Sequence, residues 1–242
     1  AFMTSGPTAS AQMKGILFIV ASNGIFGLTD ALSKVLTGDY PPGEILFFRS
    51  VFVFVSIIVM VMIQGGWRKV RIVNWRLQWA RGVLLAVTSY IFVTALKHLP
   101  LADLTAMMFI SPLVLTALAP YFLGEKVGWR RWTAVGIGFA GSMLIIRPSG
   151  DVALWPLLLA CTIPLTMSVR DIITRRLSAT DTAVGMMIVS TLCVMGGGLA
   201  SLPFGWVMPT WEGFGLFALT GGLQGIAQFL LVYAFIYGEA VV

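Results

Sequence analysis

Apolar residues run in long blocks along the chain, separated by short segments rich in Gly, Pro, Asp and Arg. The blocks cover about 15–36, 44–63, 80–96, 101–123, 131–147, 152–169, 182–203 and 213–237. Each approaches the roughly 17–25 residues that a tilted helix needs to cross about 30 Å of hydrocarbon. Lipid offers the backbone no hydrogen-bond partners, so only helices and closed barrels span it. The alternating short segments of a barrel are missing. The pattern therefore predicts an all-α integral membrane protein with eight crossings. The first block is too long for a signal-peptide core, and no small-x-small cleavage site follows it, so it counts as a helix.

Composition sharpens this picture. Of 242 residues, 58% are hydrophobic and 11% charged, against about 25% charged in soluble domains. The lipid bilayer is thus the first partner. The net charge of +6 needs no nucleic acid, because its distribution explains it. Twelve basic residues fall on one side of the predicted bundle: Lys14, then Arg68 to Arg81, then Lys126 to Arg131, then Arg170 to Arg176. Lys34, Arg49, Lys97 and Arg147 fall on the other. The positive-inside rule then places the N-terminus in the cytoplasm. Cys161 and Cys193 lie in apolar spans and read as small buried hydrophobes, not a disulfide.

An internal repeat is visible. "GLTDALSKVL" (27–36) aligns with "SVRDIITRRL" (168–177), so that Asp30 faces Asp171 and Lys34 faces Arg175 at an offset of 141. "VTAL" (93–96) aligns with "VYAF" (232–235) at an offset of 139. The first helix thus matches the sixth, and the third matches the eighth. An odd number of crossings separates each pair, so the halves face opposite ways, the inverted-topology design of many secondary transporters. Acid and base four residues apart share one helix face. Asp30–Lys34 and Asp171–Arg175 are therefore expected as ion pairs near the ends of their helices. They read either as interfacial pairs with a snorkelling base or as gates at the two mouths of a pathway.

Five helices followed by an inverted copy, with "EILFFRS" (44–50), "ALKHLPLADLTAMMFISPL" (95–113), "LGEKVGWRRW" (123–132) and "GIGFAGSMLIIRP" (136–148) in order, resemble the drug/metabolite transporter superfamily and its EamA-type repeat. "TDALSK", "EILFFR" and "RDIITRRL" look most like the branch containing bacterial S-adenosylmethionine uptake carriers. The resemblance implies a ten-helix inverted-repeat (5+5) fold, of which about eight helices are present here. Residues 1–13 form an N-terminal tail, 14–148 the first repeat and 151–242 a second repeat of three helices. The ninth and tenth helices are expected to be missing, with loss of part of the pathway wall.

The resemblance also implies a central substrate cavity between the repeats. Polar residues mid-span are the candidates, since within a bilayer they need partners or water. They are Ser22 and Asn23; Thr88, Ser89 and Tyr90; Ser111; Thr162; and Gln224 and Gln228, one turn apart. Interhelical glue is an equal reading for Asn23, Tyr90 and Gln224 and the favoured one for the rest. Asp30 and Asp171 join Asn23, Tyr90, Ser111, Gln224 and Gln228 as candidate pathway residues, with Lys34, Arg49 and Arg175 as gate or ion-pair residues. Arg49 is expected to snorkel or to pair with Glu44 or Asp30. Pro112, Pro120, Pro156 and Pro164 are expected to interrupt helices. "GIGFAG" (136–141) lies within a span with no strand before it, so its glycines, like Gly221 and Gly225, read as close-packing positions. His98 stands beside Lys97 with no metal or acid–base constellation, and no cofactor is implied.

The leading expectation is a secondary carrier for a small polar metabolite, amino-acid-like, nucleoside-like or S-adenosylmethionine-like, working by alternating access. An integral-membrane enzyme acting on a lipid-linked substrate and a non-transporting subunit remain alternatives, and a homodimer stays open.

Overall fold

The computed structural model describes residues 9–63, 65–123, 128–145 and 154–239. The described residues are helical throughout, apart from turns and short links. The α-helices are α1 (Ala9–Asp39), α2 (Pro42–Ile63), α3 (Trp75–His98), α4 (Leu101–Met108), α5 (Ser111–Leu123), α6 (Trp129–Ile145), α7 (Leu154–Leu177), α8 (Ala183–Ala200) and α9 (Trp211–Glu239). Among the described residues, seven spans are long and apolar enough to cross a membrane: Gly15–Leu36, Pro42–Ile63, Trp75–His98, Leu101–Leu118, Trp155–Leu177, Ala183–Ala200 and Trp211–Ala234. The expected crossing at 131–147 is α6, with 17 described residues. The boundary between the expected repeats, 148 to 151, lies outside the described residues.

Three boundaries move, each for a physical reason. The fourth crossing is broken into α4 and α5 by a turn at Phe109 and Ile110, whose amides bond the carbonyls of Ala106 and Met107 three residues back. Pro112 follows and has no N–H to continue the ladder. Pro120 and Pro164, by contrast, lie inside continuous helices. Helix α3 starts at Trp75 instead of 80, drawing Arg76 and Arg81 out of the expected loop. Trp75 and Trp79 contact edge to face at 5.7 Å and are half exposed, as aromatic residues at a headgroup boundary are. Helix α1 continues to Asp39, so Asp30 lies nine residues before the helix end, about 14 Å below it at 1.5 Å per residue. It is not at the helix terminus.

The core sits where two triplets, α1–α3 and α7–α9, pack together. Helix α1 packs on α9 and α3 on α7; α2 packs on α9 and α3 on α8; α2 packs on α8. This set is unchanged when α1, α2 and α3 are exchanged for α7, α8 and α9. The close approaches obey the same exchange. A Cβ at Gly82 would fall 2.5 Å from Cys193 Sγ and 3.4 Å from the Val189 carbonyl oxygen. At Gly221, 139 residues on from 82, it would fall 2.6 Å from the Arg49 carbonyl oxygen and 2.6 Å from Phe52 Cβ. Gly225 likewise lies against Ser56. The glycines of "GIGFAG" differ from expectation: no described residue lies within 4 Å of a Cβ at Gly136, Gly138 or Gly141. Cys193 is buried, whereas Cys161 is exposed, and both are free thiols.

The bundle ends are tied in matching ways. At the end carrying the α1–α2 turn, the Tyr40 hydroxyl accepts from the Thr210 amide at 3.2 Å, in the link before α9. At the other end Asp181, 141 residues on from 40, accepts from the Val73 amide at 2.9 Å, in the link before α3. Here the Asp181 carboxylate also takes Gln78 Nε2 at 2.9 Å and the Thr180 hydroxyl at 2.5 Å.

Candidate functional site

Charges define the first candidate region, and their partners differ from the sequence expectation. Lys34 does not pair with Asp30. Its ammonium donates to the carbonyl of Leu96, and to that of Leu99 at 3.0 Å. These are the orphan carbonyls at the end of α3, so Lys34 places its charge at the negative end of a neighbouring helix dipole. Arg49 stands seven residues into α2, about 10 Å from its start. It is only 7% exposed, and Nη1 donates to Ser33 Oγ at 3.2 Å. Its charge and that of Asp30 act on each other, yet no ion pair within 4.0 Å joins them. Glu44 is not its partner either, because Glu44 Oε2 accepts from the Val207 amide at 3.0 Å.

The second region lies toward the opposite end. Asp171 accepts from Arg170 Nε at 3.0 Å and Nη2 at 2.8 Å, a pair with the neighbouring residue in place of the expected one with Arg175, which is exposed. Arg81, assigned by the sequence only to a basic loop, is the organising residue here. Its Nε donates to Thr174 Oγ1 at 2.7 Å, and Nη1 to Ser190 Oγ at 2.5 Å and to the Met186 carbonyl at 3.1 Å. One side chain thereby joins α3 to α7 and α8. Arginine suits this place because its planar fork offers several donors in fixed directions. The signal available in sequence was the "Trp-x-x-x-Trp" spacing of 75 and 79, which marks the helix start ahead of Arg81.

The polar mid-span candidates separate into two groups. Ser22 is buried and donates to the Ala227 carbonyl at 2.8 Å, joining α1 to α9. Ser111 and Ser168 are joined at 3.3 Å, and Ser168 also donates to the Ser111 carbonyl at 2.9 Å, which links α5 to α7. These are interhelical bonds. Thr88 and Thr162 return to the carbonyls of Leu84 and Leu159 in their own helices. Asn23 is exposed and its amide bonds the Ile19 carbonyl of its own helix at 2.9 Å. Tyr90 is also exposed, at 40%. Gln224 and Gln228 are half-buried on α9, and Gln228 Oε1 is sealed from solvent without a partner. Of the helices carrying Asn23, Tyr90 and the two glutamines, α1 packs most extensively on α9 and also touches α3.

Outside the spans, Asp181 has a perturbed carboxyl. Burial works to raise its pKa. The hydrogen bonds from Gln78, Thr180 and the Val73 and Asn74 amides outweigh that and hold it below the ordinary carboxylate value. His98 stacks edge-on against Trp155 at 4.7 Å, a packing role.

Comparison with known proteins gives this arrangement its context. The model of the EamA-like transporter family matches residues 13–147. Over 235 residues the chain is 29% identical to a riboflavin transporter of Rhizobium johnstonii, covering 96% of this chain and 77% of that protein. Over 207 residues it is 25% identical to an S-adenosylmethionine uptake transporter of Rickettsia bellii, covering 85% and 70%. A pseudopaline exporter of Pseudomonas aeruginosa is 28% identical over 134 residues, 55% of this chain and 46% of that one. A solved crystal structure shares the fold with a TM-score of 0.65 at 22% identity, over 96% of this chain and 80% of that one. The family match spans more than half the chain, and the helical bundle agrees with it: this multi-pass membrane protein belongs to the EamA-like transporter family.

Proposed function

We propose that the protein is a secondary carrier moving a small polar metabolite across a bacterial-type inner membrane by alternating access, with residues 14–148 and those from 151 onward as its two repeats. The exchange symmetry of the packing carries this reading. Two similar halves of opposite orientation can adopt each other's conformation, and the exchange turns an opening on one face into an opening on the other. Arg81 bridges the triplets near one end, and Tyr40 and Glu44 bridge them near the other, so an opening at either end would have to break the contacts there. A contact of this kind biases the equilibrium between states by its own free energy.

The relatives named for riboflavin, S-adenosylmethionine and pseudopaline support a small polar substrate, moved in either direction. Asn23, Tyr90, Gln224 and Gln228 are the uncharged residues proposed to line its pathway, and the twelve-to-four basic asymmetry supports a cytoplasmic N-terminus. The test is uptake into proteoliposomes, with labelled riboflavin, S-adenosylmethionine and α-amino acids as separate probes. Saturable accumulation of at least one label above empty vesicles is expected. No accumulation of any, with chemical turnover of added lipid-linked substrates, would replace the carrier by a membrane enzyme.

A further inference from the structure

We infer that Asp30 and Arg49 form a binding subsite for a zwitterion, with Arg49 taking a carboxylate and Asp30 an ammonium on the same small molecule. The inference rests on the carrier reading only in supposing that this molecule is the one transported.

Equivalent positions in the two triplets differ in how their polar groups are satisfied. Residues 30, 33 and 49 correspond to 171, 174 and 190 at the offset of 141. In the second set every group has a partner: Asp171 holds Arg170, while Thr174 and Ser190 both receive Arg81. The first set is left open. Asp30 makes no hydrogen bond or ion pair, and the Arg49 guanidinium makes one hydrogen bond, to Ser33. The residue matching Arg81, 139 positions on, is Thr220, which brings no charge and bonds its own helix at the Leu216 carbonyl.

Arg49 is more than nine-tenths buried, and of its guanidinium nitrogens Nη1 alone has a hydrogen-bond partner. The sealed, unpartnered side-chain atoms among the described residues are Glu44 Oε1, Gln78 Oε1, Thr94 Oγ1 and Gln228 Oε1. Nε and Nη2 of Arg49 are not among them, so neither is completely sealed. Two opposite charges thus lie about 10–14 Å inside the bundle, within electrostatic reach and without contact. Charges at such depth are costly, and they mark ligand or ion pathways. A direct pair would lower that cost, and this pair is held open.

The gap selects for charge type. A lone anion drawn to Arg49 is repelled by Asp30, and a lone cation meets the reverse. A molecule carrying both charges gains from both. The guanidinium fork matches a planar carboxylate through two parallel N–H bonds, and a carboxylate accepts readily from an ammonium.

The test measures melting of the full chain in detergent with L-norleucine, with hexanoate and with pentylamine. These are the zwitterion, the same molecule without the ammonium, and the same without the carboxylate. The proteinogenic neutral α-amino acids are run alongside, because two charges do not fix the side chain. At least one α-amino acid should raise the melting temperature, and its deaminated and decarboxylated counterparts should not. Asp30→Asn removes no bond from the ligand-free protein, so it should fold normally and weaken binding about tenfold or more, the scale of one charge-assisted hydrogen bond. Asp30→Glu should recover part of the loss, and Arg49→Lys should retain less affinity than Arg49. A one-charge analogue as effective as the amino acid, no response to any amino acid, or an unchanged response in Asp30→Asn would overturn the inference. Binding in detergent does not depend on transport. Zwitterion binding without uptake removes the carrier reading and keeps the subsite; uptake of riboflavin without any amino-acid response does the opposite.

Discussion

Replacing Gly221 by alanine tests the packing on which the two-triplet arrangement depends. The added methyl would lie 2.6 Å from the Arg49 carbonyl oxygen and 2.6 Å from Phe52 Cβ, where ordinary contacts are about 3.5–4.0 Å. Helix α9 must therefore retreat from α2 by close to 1 Å, because a backbone carbonyl inside a helix cannot rotate away. Overpacking of this kind costs about 1–3 kcal/mol, against a gain of up to about 1 kcal/mol in helix propensity. Gly82→Ala should cost less, since its nearest obstacle is the Cys193 thiol, which can change rotamer. Gly222→Ala meets nothing within 4 Å and should be neutral or slightly stabilising. Melting in detergent, followed by intrinsic fluorescence, reads the difference. On the scale of about 2–4 °C per kcal/mol for a chain of this size, Gly221→Ala should melt several degrees below Gly222→Ala. Equal melting of the two would refute the close approach of α9 to α2.

Further outcomes are expected at other positions. Arg81→Met should lower stability by about 1.5–3 kcal/mol, the scale of one hydrogen bond to a charged group, while Arg76→Met, on the exposed first turn of α3, should change melting little; equal effects would show that the Thr174 and Ser190 bonds contribute nothing. The folded-state Asp181 carboxyl titrates below its ordinary value of about 3.9, so its stabilisation is present above that value and is lost as pH falls through the lower, folded one. The acid limb of wild-type melting below about pH 4 should therefore be shallower in Asp181→Asn, and superimposable limbs would contradict this. Asp30→Asn and Lys34→Gln should act independently, with a double-mutant coupling within about 0.5 kcal/mol, because Lys34 is spent on the end of α3; a larger coupling would restore the pair. In a Cys-free background, a cysteine at 39 should label from outside intact cells and one at 69 should not, with the reverse pattern inverting the topology.

The sequence by itself determined the features that depend on local composition. Hydrocarbon selects long apolar runs whatever surrounds them, so the spans, the all-helical class and the charge asymmetry were legible from residues 14 to 237. The repeat was legible too, because Asp30 and Asp171 sit in similar decapeptides, and the family followed from motifs in order. Partner choice was not legible. Asp30 and Lys34 share one face of α1, yet Lys34 reaches carbonyls more than sixty residues away, because the end of α3 comes to rest beside it and offers unpaired acceptors. Arg81 looked like one basic residue among five, and became a bridge only when α7 and α8 brought Thr174, Met186 and Ser190 around it. The glycines show the same division: "GIGFAG" carries the stronger pattern, but Gly82, Gly221 and Gly225 meet a neighbouring helix. Periodicity and composition report what one segment can do in lipid. Which acid an arginine faces, and which of two equivalent polar sets is left with few partners, depends on contacts between different helices, and only the tertiary structure decided those.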